Sequence, residues 1–312
     1  MPVRVRVPPP ADHTEETMNM SRRAALTVPA LALAAPVLAA PALAAEEAFF
    51  DSAGTRIRYI EQGQGEPVVL VHGYTSTTER QFVNTGVYGA VASMYRAIGM
   101  DARGHGRSGK PHRRDDYGRE MGRDIVRLMD HLNIPRAHIV GYSMGAHIVA
   151  QLLVQQPERF ITATLGGASG RRNWSAEDQA RVDEESAEMD QGVLRSQFLR
   201  LRDRSLPPPS EEEIRADSAR RLAGQDPRAL AAVRRSNPDQ VVTEAEMAGV
   251  RIPTLGIVGT ADPYLREFEA LKRAMPQLEL VTIPGATHGS APGTPQFREA
   301  LMTFLRAHPA RA

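Results

Sequence analysis

The chain has 312 residues, with 38 Lys and Arg against 37 Asp and Glu, and no cysteine. Near-neutral charge leaves no field to steer a polyanion, which sets nucleic-acid binding aside. The missing thiol excludes disulfides, thiolate metal sites, a cysteine nucleophile and a lipid-modified N-terminal cysteine.

Residues 1–17 read as a polar, Pro-rich leader without periodicity. Ser21-Arg22-Arg23 follows, then an uncharged Ala-rich run from Ala24 to Ala45. This order is the positive region, apolar region and small-residue site of an export signal, with Ala42-Leu43-Ala44 ahead of the cut. Ser21–Leu26 also resembles a twin-arginine signal, an address read by a receptor for folded export. A start at Met18 or Met20 would give a signal of usual length. The alternative is a transmembrane anchor, against which stand the weak apolarity of alanine and the interruptions at Pro29, Pro36 and Pro41. A signal predicts an exported protein, periplasmic or secreted, with no stable membrane anchor. Sequencing of the mature N-terminus from a bacterial host is expected to begin at Ala45, and residues retained ahead of Ala42 would overturn this. Residues 1–44 carry four arginines and three carboxylates, so the remainder is neutral, with 34 of each sign.

Beyond the signal, Phe49-Phe50, Ser52-Ala53-Gly54 and Thr55–Glu61 read as strand, turn and strand, closed by Gly63, Gly65 and Pro67. Val68–Val71 is a short all-apolar run, as in a strand buried on both faces of a parallel sheet. Tyr95–Met100 reads as a second central strand. Asp115–Leu132 is predicted helical, with Met121, Ile125, Leu128, Met129 and Leu132 at helical spacing. His138–Val140 is a third central strand and Met144–Gln156 the helix after it, stopped at Pro157. Ile161–Leu165, Thr254–Val258 and Leu278–Ile283 complete the strands. Helices fit at Leu265–Ala274 and Gln296–Ala307. Strands alternating with helices imply an α/β fold, with a mostly parallel central sheet and helices on both faces. In such sheets sites form at the carboxyl ends of the strands.

Residues 171–250 break the rhythm. They are rich in Arg and Glu, with Leu206-Pro207-Pro208-Pro209 in the middle. Amphipathic pieces are expected around Glu177–Met189 and Leu194–Leu201. The stretch reads as a helical cap inserted between two strands, flanked by a core of residues 45–170 and 251–312.

The strongest chemical signal is Gly141-Tyr142-Ser143-Met144-Gly145, which follows a short apolar strand and opens a helix. A sharp strand-to-helix turn strains the serine backbone and exposes its hydroxyl. The positions two before and two after crowd each other, so both must be small. The helix N-terminus behind the serine favours an oxyanion.

With Val68–Tyr74, ending in His72-Gly73-Tyr74, and with Asp101-Ala102-Arg103-Gly104-His105-Gly106-Arg107-Ser108, this elbow gives the chain a resemblance to the α/β-hydrolase superfamily. The resemblance is to single-domain members with a helical cap and runs from about Phe49 to about Leu305. It implies Ser143 as nucleophile. It implies His288, in Gly285-Ala286-Thr287-His288-Gly289 after the last strand, as base. It implies Asp262, in Gly259-Thr260-Ala261-Asp262-Pro263 after the strand that follows the cap, as the orienting acid. No carboxylate follows Ile161–Leu165, where some members keep theirs. For Asp262 a role as helix N-cap stays open, with Pro263 a good first residue of the next helix. The oxyanion hole would use the backbone N–H groups of Tyr74 and Met144. Tyr74 could instead line the pocket, and Thr75 or Ser76 could add a donor. His147, on the elbow helix, is expected to point into packing. Asp101 and Arg103 are expected to be structural.

A serine with His and Asp performs acyl transfer through an acyl-enzyme. The expected activity is hydrolysis of a small-molecule carboxylic ester, with no cofactor and no metal. Lactone, thioester or carbon–carbon bond hydrolysis and cofactor-free perhydrolysis use the same triad. A non-catalytic binding protein on the same fold is the reading from a different class. Trp174, Leu194, Phe198 and Leu201 are candidate pocket-lining residues, each equally plausible as core of the cap.

Overall fold

The computed structural model describes residues 45–171, 173–203 and 205–310. The expected signal segment, 1–44, lies outside the described residues. Eight strands form one sheet: β1 (Glu46–Ser52), β2 (Thr55–Gln62), β3 (Pro67–Val71), β4 (Arg96–Met100), β5 (Ala137–Tyr142), β6 (Phe160–Gly166), β7 (Thr254–Gly259) and β8 (Glu279–Ile283). Their spatial order is β1-β2-β4-β3-β5-β6-β7-β8. The first two strands run antiparallel to their neighbours, and every pairing from β4 to β8 is parallel.

The helices are α1 (Val87–Ala92), α2 (Arg119–His131), α3 (Met144–Gln155), α4 (Ala176–Asp190), α5 (Arg195–Leu201), α6 (Glu211–Leu222), α7 (Pro227–Arg235), α8 (Glu244–Gly249), α9 (Leu265–Ala274) and α10 (Pro295–Ala307). Alternation along the central strands separates two cores. Val69, Val71 and Ile139 face the layer of α2, α3 and α9, with Ile125, Ile148 and Phe268 packed among them. Val68, Leu70 and Val140 face α1 and α10, against Val91, Phe297 and Leu301. This two-sided cover is why the central strands read as unbroken apolar runs rather than alternating ones. Among the described residues no helix is long and apolar enough to cross a membrane.

One helix start differs by several residues from the sequence reading, and one expected helix-starting residue does not start its helix. The helix expected from Asp115 starts at Arg119, because Gly118, at φ 59°, breaks the chain after a short 3₁₀ turn at Arg114–Asp116. Pro263 does not open the helix after β7. That helix spans Leu265–Ala274, as expected, with Tyr264 at its N-cap.

Between β6 and β7 the chain builds α4 to α8, with no strand among the described residues. Three of these helices begin with a reciprocal capping box: Ser175 with Asp178, Ser210 with Glu213, and Thr243 with Glu246. A fourth, α7, has Asp226 accepting from two amides and Pro227 at its first position. These short polar signals mark where the helices start, whether or not hydrophobic periodicity reveals the helix itself. Met189, Leu194, Leu230 and Ala231 give the insertion a small core of its own, against Tyr74 of the sheet layer.

Asp101 and Arg103 sit in the loop after β4, as structural groups. Asp101 accepts from the amides of Thr78 (2.9 Å) and Arg107 (3.0 Å) and is ion-paired to Arg58. Arg103 grips fully buried Asp124 of α2 with Nε and Nη2, both at 2.6 Å, and Ser52 donates to the same carboxylate at 2.6 Å. Removing one partner of a buried pair leaves an uncompensated charge. Asp124→Ala is therefore expected to lose about 3–5 kcal/mol of stability, read as a lower urea midpoint. An unchanged midpoint would mean that solvent reaches Arg103.

Candidate active site

The site lies where the connections diverge. The chain passes from β3 to β4 on one side and reaches β5 on the other, so the loops after β3 and β5 part and leave a crevice at their carboxyl ends. His72-Gly73-Tyr74 follows β3, and Ser143 follows β5.

Ser143 has φ 53° and ψ −110°, a left-handed conformation that a residue with a Cβ adopts only under constraint. Three contacts supply it. The Ser143 amide donates to the Gly166 carbonyl at 2.7 Å, and the Ser143 carbonyl accepts from the amides of Ala146 (3.0 Å) and His147 (3.2 Å). The two flanking glycines are needed for close approach. A Cβ on Gly141 would lie 2.4 Å from the Gly145 carbonyl, and one on Gly145 would lie 2.0 Å from the Val71 carbonyl. The elbow is thus wedged against β3 as well as against itself.

The structure brings together three side chains that are far apart in sequence. The Ser143 hydroxyl and His288 Nε2 are 2.9 Å apart, and His288 Nδ1 and Asp262 Oδ2 are 2.9 Å apart. A carboxylate only accepts, so Nδ1 carries the proton and Nε2 is left to accept from the serine. The other oxygen, Asp262 Oδ1, accepts from the Tyr264 amide at 3.0 Å. Asp262 is therefore not the N-cap of α9; that position is held by Tyr264, without a side-chain cap. Asp262 and His288 are both buried, at 4% and 7% exposure, so water does not compete for their bond.

Two aromatic residues that sequence reasoning passed over hold the histidine. The Tyr142 hydroxyl donates to the His288 carbonyl at 2.6 Å, which ties the loop after β8 to the strand that carries the serine. Burial raises the Tyr142 phenol well above its ordinary value, so it stays a donor. The Tyr264 ring packs 5.4 Å from the imidazole. Tyr142 lies inside the elbow motif, but its partner is remote in sequence, and no local pattern marks it.

The amides of Tyr74 and Met144 flank the same crevice, and among the described residues neither meets a protein acceptor. The Tyr74 side chain does line the cavity. Its hydroxyl donates to the Leu230 carbonyl at 2.8 Å, and Arg234 stacks over its ring at 4.2 Å. It thus bridges the sheet layer to α7. Thr75 and Ser76 also line the cavity.

The other histidines have different surroundings. His72 is buried, with Nδ1 at 2.8 Å from the Gly73 carbonyl and Nε2 accepting from the Ala102 amide at 3.0 Å. Burial lowers its pKa. Burial, then neighbouring His72, pushes His105 down to about 3. Both are neutral props of the turns. His147 is buried, as expected, and also borders the cavity. Among the described residues no three His, Asp or Glu side chains converge as a metal ion would need.

The cavity over Ser143 measures about 450 Å³. A second chamber of about 360 Å³ shares His147, Arg171, Arg181, Arg200 and Tyr264 with it. Of the expected lining residues, Leu201 borders the first chamber and Trp174 the second, Leu194 is buried within the insertion, and Phe198 borders neither.

Comparison with known proteins adds three findings. Residues 66–291 match a family model described as alpha/beta hydrolase fold. Two curated relatives are dihydrolipoyllysine-residue acetyltransferase components of acetoin cleaving systems. The one from Cupriavidus necator is 34% identical over 38% of this chain and 30% of its own length. The one from Pseudomonas putida is 27% identical over 82% of this chain and 68% of its own length. The chain thus spans less than a third of the first and about two thirds of the second. Among solved structures, a carboxylesterase of Nitrososphaera gargenis superposes with a TM-score of 0.69 at 20% identity, covering 83% of this chain and 98% of its own. At that identity the likeness is one of fold.

Proposed function

The chain belongs to the α/β-hydrolase family, and from that premise we propose that it cleaves carboxylic esters through an acyl-enzyme on Ser143. The observation that carries this is the continuous relay from Ser143 to His288 to Asp262, with both links at 2.9 Å. In this reading the serine oxygen attacks the ester carbonyl while His288 Nε2 takes its proton. Asp262 stabilises the imidazolium without becoming protonated. The amides of Tyr74 and Met144 hold the developing oxyanion, each contributing about 3–4 kcal/mol. His288 then protonates the leaving alcohol, and a water activated by the same histidine releases the acid. Support for a hydrolase with a serine nucleophile comes from the strained elbow. Support for a small-molecule substrate comes from the cavity of about 450 Å³ directly over the hydroxyl.

A fluorophosphonate probe tests the reading, because it reports an activated serine whatever the natural substrate. Labelling at Ser143, located by peptide mass spectrometry, is the expected result. Folded protein that resists the probe would turn the reading toward a binding protein on this fold.

A further inference from the structure

The cavity over Ser143 is walled by seven arginines and by no aspartate or glutamate. Three of the arginines stand at the rim. Arg220 and Arg221 pair with Asp217 behind the wall, and Arg80 donates to the carbonyls of Arg221 and Ala223. The other four, Arg171, Arg181, Arg200 and Arg234, line the inner wall. Arg181 pairs with Asp178. Arg200 and Arg234 share one carboxylate, Glu185, at 2.9 and 3.0 Å. Arg171 has no carboxylate partner among the described residues, and its Nε has no hydrogen-bond partner. On the Ser143 side four inner cations thus face one carboxylate, Glu185, which is set behind the lining, while Asp178, Glu244 and Glu267 border the second chamber beyond the neck.

An unpaired cation in such a place is unfavourable by itself. Burial, then the nearby charge of Arg234, with Arg200 and Arg181, pushes Arg171 down to about 10. Arg171 also stands at the neck between the two chambers, since it lines both. A guanidinium is a planar fork of donors that matches a carboxylate with two parallel bonds. The wall of one sign on the Ser143 side concentrates an oppositely charged ligand there. A ligand carboxylate at the neck would satisfy Arg171 and offset the repulsion among its neighbours.

We propose that the site selects esters or lactones carrying a second, free carboxylate, which Arg171 binds at the neck of the cavity while Ser143 attacks the scissile carbonyl. The words ester and lactone rest on the proposed function; the anion site does not. The specificity residue is Arg171, and Arg200 and Arg234 supply the surrounding positive potential.

The test uses the full chain and a matched pair of substrates, mono-p-nitrophenyl glutarate and p-nitrophenyl valerate. They have the same acyl length and differ in the terminal carboxylate. The unaltered protein is expected to show at least a tenfold higher kcat/KM on the glutarate. Arg171→Met is expected to lower the ratio of the two kcat/KM values by about tenfold to a hundredfold, the range for losing a hydrogen bond to a charged group. The change should fall mainly in KM. Arg171→Lys, which keeps the charge without the fork, should lie between them and serves if the methionine variant does not fold. A preference for the valerate, or an equal loss on both esters, would overturn the proposal. A second readout does not need hydrolysis: free glutarate is expected to raise the melting temperature of the unaltered protein and not of the Arg171 variants. If neither ester turns over yet glutarate stabilises in this Arg171-dependent way, the hydrolase reading falls and the anion site stands. No stabilisation by glutarate at tens of millimolar would sink the anion site itself.

Discussion

Turnover of a p-nitrophenyl ester is expected to fall about a million-fold when Ser143 becomes alanine, the loss typical of removing the nucleophile from a triad that works as a unit. The expectation rests on geometry that the substitution leaves in place. The strained backbone at residue 143 is held by the hydrogen bond its amide donates to the Gly166 carbonyl and by the two amides that cap its own carbonyl, none of which involves the hydroxyl. Alanine therefore keeps the turn, the flanking amides of Tyr74 and Met144, and the His288–Asp262 bond, while removing the atom that attacks. The thermal midpoint should stay close to that of the parent protein. A residual rate of about a thousandfold over water can persist from the oxyanion donors and binding alone. Measured kcat over a series of acyl chain lengths checks this, and the preferred length sizes the cavity. A folded Ser143→Ala protein that keeps more than a tenth of the activity would place the nucleophile elsewhere.

Asp262→Asn is expected to lower kcat about ten-thousand-fold with little change in KM. Asparagine is nearly the same size, and its amide oxygen can still accept from the Tyr264 N–H that Oδ1 accepts from now. Its amide nitrogen would then face His288 Nδ1 and donate to it. That reverses the tautomer: the ring proton moves to Nε2, which can no longer accept from Ser143. The defect is one of proton location, not of packing, because the 2.9 Å spacing between residue 262 and the imidazole need not change. Steady-state kinetics beside a thermal melt separates the two. A drop of less than tenfold in a stable variant would show that His288 is oriented from elsewhere, and the Tyr142 hydroxyl on its carbonyl would be the first group to examine.

The helical insertion shows where the sequence reading was thin. Amphipathic spacing marked α4 and α5, but α6 carries so many charges that no clear stripe stands out, α8 is only six residues long, and the short apolar run of α7 at residues 229–233 was passed over. Their starts were nonetheless written locally, as Ser210 with Glu213, Asp226 with Pro227, and Thr243 with Glu246. A search for caps ahead of periodicity finds them. The pocket was harder to foresee. Apolar residues were the natural candidates for its wall, since apolar and aromatic side chains dominate most ligand sites. Arginines supply much of it instead. Their clustering follows from how α4, α5, α6 and α7 fold back over the sheet, which no run of neighbours in the sequence encodes.

The sequence by itself determined where the strands lie along the chain, the buried character of the central ones, the elbow at Ser143 and the placing of Asp262 and His288 after successive strands. Each of these depends on residues within one turn or one strand of each other. An apolar run has to be covered on both faces, and two glycines around a serine permit one sharp turn. Only the tertiary structure decided that the three side chains meet at 2.9 Å, that Tyr142 anchors the histidine loop, and that Arg171 faces the cavity without a carboxylate. Those outcomes join residues separated by long stretches of chain. They arise from packing and from the competition of many charges for few partners, and local pattern carries no record of either.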